Sequence, residues 1–178
     1  VVRMLRRLGV RRTVMMTGDS ERTARTIAQK VGVDEYYAEV LPEDKAAFVQ
    51  REKAKGHTVV MLGDGINDSP ALSAADAGIA ISEGAQLARE IADITISGAD
   101  LYALVTLKAV SNALMRRIRA NYRFVLGFNS ALLALGLLGV ITPGLSAGLH
   151  NLSTLGIGLH SMMNLLEEGN FGAEGRTA

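Results

Sequence analysis

The chain has 178 residues, of which 19 are Lys or Arg and 18 are Asp or Glu, so its formal net charge at pH 7 is +1. This near-balance of charge excludes a strongly basic tail that coats a polyanion, and it excludes an acidic disordered segment. The chain contains no Cys, which excludes a disulfide scaffold, a zinc finger and a thiol nucleophile.

Short apolar segments alternate with helical patterns over the first 100 residues. This alternation is typical of a parallel α/β sheet covered by helices on both faces. Pro42 favours a helix start at its position, and Gly32 favours a helix end. The predicted strands lie at 13–16, 36–40, 58–62, 77–81 and 92–96, and the predicted helices lie at 21–31, 42–55, from 69 onward and at 85–91.

Two polar loops follow the first and third predicted strands, namely Thr17-Gly18-Asp19 and the segment 63–68. In parallel sheets the functional side chains lie beyond the carboxyl ends of the strands, so we expect the two loops to share one crevice. Asp64 and Asp68 are carboxylates of the kind that Mg²⁺ binds. An ordinary surface turn accounts for the second loop equally well, and a helix cap accounts for the first.

Lys45 lies in the first turn of its predicted helix, directly after Glu43 and Asp44. A lysine in this position can reach a phosphate group as a point charge. The alternative is a solvated helix face, which is the commoner environment of a single lysine.

Together, Thr17-Gly18-Asp19, the segment 41–45 and the segment 61–72 resemble the phosphorylation domain of P-type cation-transporting ATPases, which belong to the haloacid dehalogenase superfamily. The three motifs occur in the family's order. The resemblance implies a Rossmann-like, haloacid dehalogenase-like parallel sheet. It also implies the use of Mg²⁺ and ATP, with ATP bound mainly by a domain that the chain lacks.

The resemblance implies a role for six residues of these motifs. In phosphoryl transfer, a protein contributes mainly by positioning the reacting groups and by electrostatic stabilisation. The resemblance implies that Thr17 hydrogen-bonds the phosphoryl group and that Asp19 orders the loop. It implies that Lys45 neutralises phosphoryl oxygens and that Asn67 helps to hold the phosphate. These four are the implied catalytic residues, and Asp64 and Asp68 are the implied Mg²⁺ residues.

The family's nucleophile motif, Asp-Lys-Thr-Gly-Thr, does not occur in the 178 residues. The family's actuator loop and earlier membrane helices are also not found, and the nucleophile segment supplies a central strand of the family's sheet. We therefore expect the carboxyl-terminal part of a pump, with an incomplete sheet, that does not form an aspartyl phosphate alone.

Charged residues are unevenly distributed along the chain. Of the 37 charged residues, 33 lie within positions 1–123 and 4 lie after 166, so residues 124–166 are uncharged. This pattern predicts a soluble part followed by a membrane part. The predicted divisions are a partial phosphorylation domain at 1–100, a linking helix at 101–120, two transmembrane helices at 121–166 with a turn near 142–144, and a tail at 167–178.

Five basic residues precede the uncharged segment, with no acidic residue among them: Lys108, Arg116, Arg117, Arg119 and Arg123. A solvated basic face or a nucleic-acid patch would have the same composition. Next to an apolar segment, the positive-inside rule favours a membrane protein whose soluble part and tail are cytoplasmic. We therefore expect a lipid bilayer, and no nucleic acid, as partner.

Within the predicted membrane helices, Asn129, His150 and Thr154 are candidate ligands of a transported ion. Imidazole is a common ligand of Zn, Co, Ni and Cu ions, whereas a histidine near the lipid headgroups and interhelical hydrogen bonds are the plainer explanations. The segments 128–129 and 150–154 resemble those of the heavy-metal branch of the family. The absence of the copper pumps' Met from the second segment argues against Cu(I), so Zn, Co or Ni is expected.

Three functions remain open at this point. The favoured one is the carboxyl-terminal part of an ATP-driven transition-metal pump that works through an aspartyl phosphate, completed by the rest of the pump or a complementary chain. The second is a membrane-anchored phosphate- and Mg²⁺-binding or regulatory module without turnover. The third, a small independent phosphatase, is disfavoured by the missing nucleophile motif.

Overall fold

The computed structural model describes residues 1–64, 66–81, 90–98 and 100–165. The chain divides into two compact units, Val1–Leu107 and Lys108–Ala178. The first unit contains helices and strands, whereas the described part of the second unit is helical.

The first unit alternates short strands with helices along the chain. Helix α3 begins at a proline, whose fixed φ suits the first helical turn, and α2 ends at Gly32, which has a left-handed φ of 77°. The elements are α1 (Val2–Arg7), β1 (Val14–Met16), α2 (Glu21–Val31), β2 (Glu35–Tyr37), α3 (Pro42–Ala54), β3 (Val60–Gly63), a 3₁₀ turn (Ile66–Asp68), α4 (Ser69–Ala74), β4 (Ala77–Ile81) and β5 (Ile94–Ile96).

All the described strand pairs are parallel, as the sequence predicts. Strand β1 pairs with β2, and β3, β4 and β5 form a second sheet in that order. Among the described strands, no ladder joins β1 to β3. Val60 and Leu62 of β3 remain 59% and 37% exposed. The parallel α/β fold is confirmed, and it consists of two small sheets.

One buried cluster of the first unit lies where α4 packs on the three-stranded sheet. Leu72 of α4 and Ala80 of β4 are 2% and 0% exposed, and Met61 and Ala92 pack against them. Gly78 of β4 lies so close to α4 that an added Cβ would be 2.8 Å from the carbonyl oxygen of Leu72. This contact fixes α4, and therefore the loop before it, against the sheet.

Several boundaries differ from the predicted ones. Strand β2 ends at Tyr37 rather than at 40, because Glu39 adopts a left-handed φ of 54° that interrupts an extended strand. Strand β3 covers Val60–Gly63 rather than 58–62. Helix α1 has no counterpart among the predicted elements. The predicted helix at 85–91 lies outside the described residues except for its last two, which are helical.

Two long helices follow. Helix α5 is continuous over Tyr102–Leu137, and α6 covers Pro143–Ser161. Thr142 caps α6, because its hydroxyl oxygen accepts the backbone N–H of Leu145 at 3.3 Å. Gly139, with a φ of 69°, lies in the turn between the helices.

None of the helices in the described residues combines the length and the hydropathy needed to span a bilayer, so the prediction of two membrane spans is not confirmed. The charged residues of α5 end at Arg123, which leaves 124–137 as its uncharged part. Fourteen residues extend about 21 Å, less than the about 30 Å of a hydrocarbon core. Helix α6 has 19 residues, and its Gly, Ser, Asn and His residues lower its hydropathy.

Candidate functional site

Lys45 and Asp68 form an ion pair at one end of the first unit. The Nζ of Lys45 donates to Oδ1 of Asp68 at 2.8 Å, and the two side chains are 14% and 11% exposed. Pro42 starts α3 and places Lys45 in its first turn, while the 3₁₀ turn after β3 places Asp68. A charge pair with so little solvent is screened less than a surface pair, so each partner orients the other.

The loop after β3 is closed by the second oxygen of Asp68. The backbone N–H of Asp64 donates to Oδ2 of Asp68 at 3.4 Å. Gly63 must be a glycine here, because an added Cβ would lie 2.6 Å from the Cβ of Asp68. Asp64 and Asn67 are exposed. The loop therefore holds one carboxylate against a lysine and presents a second carboxylate and an amide to solvent.

The loop after β1 has its own hydrogen bonds. The hydroxyl of Thr17 donates to Oδ2 of Asp19 at 3.0 Å, and the backbone N–H of Asp19 donates back to that hydroxyl oxygen at 3.2 Å. The loop is tied to β2 through the backbone N–H of Thr17, which donates to the carbonyl of Tyr37 at 3.0 Å. This geometry restrains the Thr17 hydroxyl; the ordering role of Asp19 stays a prediction.

The structure therefore joins the predicted residues in two groups. One contains Lys45, Asp68 and the backbone of Asp64; the other contains Thr17 and Asp19. In the part of the chain that the structure describes, no hydrogen bond or ion pair connects the two groups. The same described residues contain no group of three or more His, Cys, Asp or Glu side chains placed to hold a metal ion.

The oxygens of the second loop suit Mg²⁺ in their chemistry. Mg²⁺ prefers oxygen ligands and is commonly bound by one or two carboxylates together with substrate phosphates and water. Asp64 offers an exposed carboxylate, and Asp68 stands at hydrogen-bond distance from the Asp64 backbone. The close approach at Gly63 leaves Asp68 little freedom to move. Two carboxylates of one loop, with one lysine beside Asp68, fit the chemistry of a site shared by a cation and a phosphate.

The sequence does not reveal a buried carboxylate network in the first unit. Glu52 of α3 is 6% exposed and accepts from Nζ of Lys55 at 2.7 Å and from Nη1 of Arg12 at 2.9 Å, and its carboxylate lies 2.9 Å from Nδ1 of His57. The hydrogen bonds from Lys55 and His57, together with the positive charges of Lys55 and Arg12, lower the pKa of Glu52 from 4.5 to about 2. Arg12 also makes two hydrogen bonds to Glu35. This network is structural and explains His57, for which the sequence offers no obvious partner.

Ser69, the first residue of α4, is a second residue that the sequence does not single out. Its hydroxyl oxygen is buried and has no hydrogen-bond partner among the described residues. It follows Asp68 directly, so a polar atom without a partner lies beside the ion pair.

His150 and Asn129 are brought together by the two long helices. Nδ1 of His150 lies 2.9 Å from Oδ1 of Asn129. The hydroxyl of Thr154 donates to the backbone carbonyl of His150 at 3.0 Å, and Ser153 donates to the same carbonyl at 2.8 Å. His150 and Thr154 are exposed and Asn129 is half-buried.

The first part of the chain is similar to a known family. Residues 1–76 match the family model of the haloacid dehalogenase-like hydrolases. Parallel strands, a polar loop after β1 and a Gly-Asp loop after β3 agree with that class.

Most of the chain is similar to P-type ATPases named as metal exporters. The chain is 42% identical over 158 residues to the zinc-exporting P-type ATPase of Mycobacterium marinum, covering 88% of this chain and 22% of that protein. It is also 42% identical over 146 residues to the copper-exporting P-type ATPase of Staphylococcus saprophyticus, covering 82% of this chain and 18% of that protein. A crystal structure of a zinc-transporting PIB-type ATPase matches 93% of this chain and 27% of its own, with 34% identity and a TM-score of 0.80.

The chain is therefore a homologue of the heavy-metal-transporting P-type ATPases, as the resemblance of its motifs predicts. It spans about a fifth of the length of the curated relatives it matches. Equal identity to a zinc exporter and a copper exporter does not distinguish between the ions.

Proposed function

We propose that this chain is a part of an ATP-driven transition-metal pump that works through an aspartyl phosphate. The observation that carries the proposal is the nearly buried Lys45–Asp68 pair at the loop that also presents Asp64. The pair arises from two motifs that are far apart in sequence and match the family in order. Because the chain holds no Asp-Lys-Thr-Gly-Thr segment, the nucleophile would come from the remaining part of the pump.

In this proposal the residues of the first unit bind and orient the phosphoryl group. The Thr17 hydroxyl, which donates to Asp19 in the structure, would turn its one proton to a phosphoryl oxygen, and the amide of Asn67 would donate another hydrogen bond. The Lys45 ammonium, positioned by Asp68, stabilises negative charge on the phosphoryl oxygens. Asp64, with Asp68 beside it, would hold Mg²⁺, which when bound neutralises phosphate charge.

The proposed ion site lies on the helix pair. In this proposal Nδ1 of His150 donates to Oδ1 of Asn129, 2.9 Å away, so the imidazole proton lies on Nδ1. Nε2 then keeps its lone pair and is free to bind a metal ion. The Thr154 oxygen donates its proton to a carbonyl and retains its lone pairs. A nitrogen ligand with a hydroxyl oxygen suits Zn, Co or Ni better than Cu(I). Asn129, hydrogen-bonded to the other ring nitrogen, would orient the imidazole.

We further propose that α5 and α6 lie in a membrane beside helices of the remaining pump, with the soluble part and the tail in the cytoplasm. Residues 124–166 carry no charge. Large apolar side chains of both helices remain exposed, among them Leu133, Leu137, Leu152 and Leu159, which are 61–82% exposed. Lipid or neighbouring helices would cover these side chains.

The test is a chimera in which this chain replaces the matching segment of the Mycobacterium marinum zinc exporter. Reconstituted in vesicles, it is expected to hydrolyse ATP when Zn²⁺, Co²⁺ or Ni²⁺ is added and to form an acid-stable phosphoenzyme. The 178-residue chain alone is expected to do neither. A chimera that folds and inserts, yet forms no phosphoenzyme at any metal concentration, would contradict the proposal.

Variants of the chimera test the individual roles. Asp64→Asn is expected to raise the Mg²⁺ concentration needed for phosphorylation at least tenfold, while Asp44→Asn, at an exposed position of α3, leaves it unchanged. His150→Ala is expected to abolish stimulation by the transition metals. His160→Ala is the matched control, because it removes the other histidine of the same helix, about 15 Å away.

The second candidate function, a phosphate- and Mg²⁺-binding module without turnover, is favoured by the same missing nucleophile segment. It predicts that the 178-residue chain alone binds inorganic phosphate in a Mg²⁺-dependent way, measurable by calorimetry. Two results together would favour this function over the pump. The chain alone would bind phosphate and lose this binding in Lys45→Met, and the chimera would form no phosphoenzyme.

A further inference from the structure

Three arginines form a stripe on one face of α5. Arg116, Arg119 and Arg123 follow the spacing i, i+3, i+7, so they share one side of the helix over about 10 Å. All three are exposed. We call these three residues the arginine stripe.

Within the described residues, no carboxylate pairs with the arginine stripe. No Asp or Glu occurs between Asp100 and Glu167, and no ion pair joins these guanidinium groups to a carboxylate within residues 1–64, 66–81, 90–98 and 100–165. Arg117 differs, because it donates to the backbone carbonyls of Ser161 and Asn164 at 3.2 and 2.8 Å. Arg117 therefore has a structural partner, whereas the arginine stripe has no anionic partner in the part of the chain that the structure describes.

The side chains of the arginine stripe line an open groove on the surface of α5, together with Ile118, Ala120 and Tyr122. Tyr122 is 66% exposed. Planar guanidinium groups bind phosphate oxygens with paired hydrogen bonds, and tyrosine is frequent at the level of lipid headgroups.

We propose that the arginine stripe binds the phosphates of anionic phospholipids at the membrane surface. The stripe ends at Arg123, and the uncharged segment begins at the next residue with Phe124, which is 51% exposed. Cationic side chains at the edge of an apolar helix are placed at headgroup depth while their neighbours contact acyl chains. A nucleic acid would also complement the charge, but it offers nothing to the exposed apolar side chains that follow. The inference rests on the proposed placement of α5 and α6 in a membrane.

The test uses the full 178-residue chain reconstituted in phosphatidylcholine vesicles at low salt. Spin-labelled phosphatidylglycerol and spin-labelled phosphatidylcholine are compared by electron paramagnetic resonance, which measures the fraction of each lipid immobilised by the protein. We expect the anionic lipid to associate about fivefold more strongly, the factor for one basic residue near a charged surface. The preference should fall as salt screens the charges.

The triple variant R116Q/R119Q/R123Q is expected to remove this preference. The matched control is R3Q/R22Q/R51Q, which removes the same charge from exposed positions of the first unit and is expected to keep the preference. A third variant, R116K/R119K/R123K, keeps the charge and should retain most of the preference for the anionic lipid. This variant guards against loss through misfolding.

The possible failures are distinguishable. If neither lipid is immobilised, the membrane placement in the proposed function is wrong, and the inference falls with it. If phosphatidylcholine is immobilised but phosphatidylglycerol is not preferred, or if the glutamine triple variant keeps the preference, the inference alone is wrong. If the triple variant loses binding of a labelled DNA duplex and leaves the lipid preference intact, the arginine stripe is a nucleic-acid surface and the inference is overturned.

Discussion

The ammonium group of Lys45 lies 2.8 Å from a carboxylate oxygen of Asp68, although 23 positions separate the two residues. Each comes from a different motif of the chain, one at the start of α3 and the other in the turn after β3. The pair joins these motifs in a place where both side chains are nearly buried. A site of this kind holds its charges in position before a ligand arrives, which is what electrostatic stabilisation requires.

Lys45→Met is expected to destabilise the region around α3 and α4. The methionine keeps the length of the side chain but leaves the Asp68 carboxylate with little solvent and no cation, at a cost of about 2 kcal/mol. Hydrogen–deuterium exchange of α3 and α4 amides in the full chain measures the change in opening free energy. Lys30→Met, at an exposed position of α2 with no ion pair among the described residues, is the control. The double variant Lys45→Met/Asp68→Asn should recover part of the loss, and a loss that is simply additive would refute the coupling.

Gly63→Ala is expected to displace Asp68 and weaken the pair. The new Cβ would lie 2.6 Å from the Cβ of Asp68, a distance that only a shift of the loop can relieve, and overpacking of this type costs about 1–3 kcal/mol. The thermal unfolding midpoint should fall, and phosphorylation of the chimera should fall with it. Gly18→Ala is the control, because its nearest neighbour would be an ordinary contact at 3.9 Å. Equal effects of the two substitutions would show that the close approach of Asp68 to Gly63 does not determine the loss.

The elements that depend on local signals can be predicted from the sequence. The helix over 21–31 has its predicted bounds, because a glycine in the left-handed conformation ends it, and β4 has its predicted bounds between polar residues. The two loops can be identified as candidate sites, since parallel strands present their carboxyl ends to one edge. The spacing does not predict that Lys45 and Asp68 contact each other, because that contact depends on how α3 and α4 pack.

The features that the sequence does not reveal depend on long separations or on the absence of a local signal. Arg12 reaches Glu52 across 40 positions, and no local pattern marks either one. Helix α1 is short and rich in arginine, so it resembles a polar segment. The single helix Tyr102–Leu137 crosses position 120, where the change from basic to uncharged residues suggests a boundary. The backbone can remain helical while the side chains along it change from basic to uncharged.

Arg117→Ala is expected to loosen the end of α6. The guanidinium donates to the carbonyls of Ser161, Met163 and Asn164, and carbonyls at a helix end have no partner within the helix. Loss of these charged hydrogen bonds should cost about 2 kcal/mol and speed amide exchange in the last turn of α6. Arg116→Ala is the control, because it removes the neighbouring charge from a different side of α5. Unchanged exchange in Arg117→Ala would mean that these bonds do not hold α6.

Glu52 is expected to make the first unit sensitive to acid. Hydrogen bonds from Lys55 and His57, with the charges of Lys55 and Arg12, lower its pKa in the folded chain from 4.5 to about 2. The folded state then binds the proton less readily than the unfolded state, so the stabilisation is fully present above pH about 4.5 and is lost as the pH falls toward about 2.

The measurement is the difference in thermal unfolding midpoint between the natural chain and Glu52→Gln, taken by circular dichroism from pH 7 to pH 2. The difference should be constant above pH about 4.5 and shrink below it, because protonation makes the acid resemble the amide. Glu43→Gln, at an exposed position of the same helix, should show no such trend. A difference that stays constant down to pH 2 would contradict the lowered pKa. It would indicate that Glu52 stabilises the fold by packing rather than by its charge.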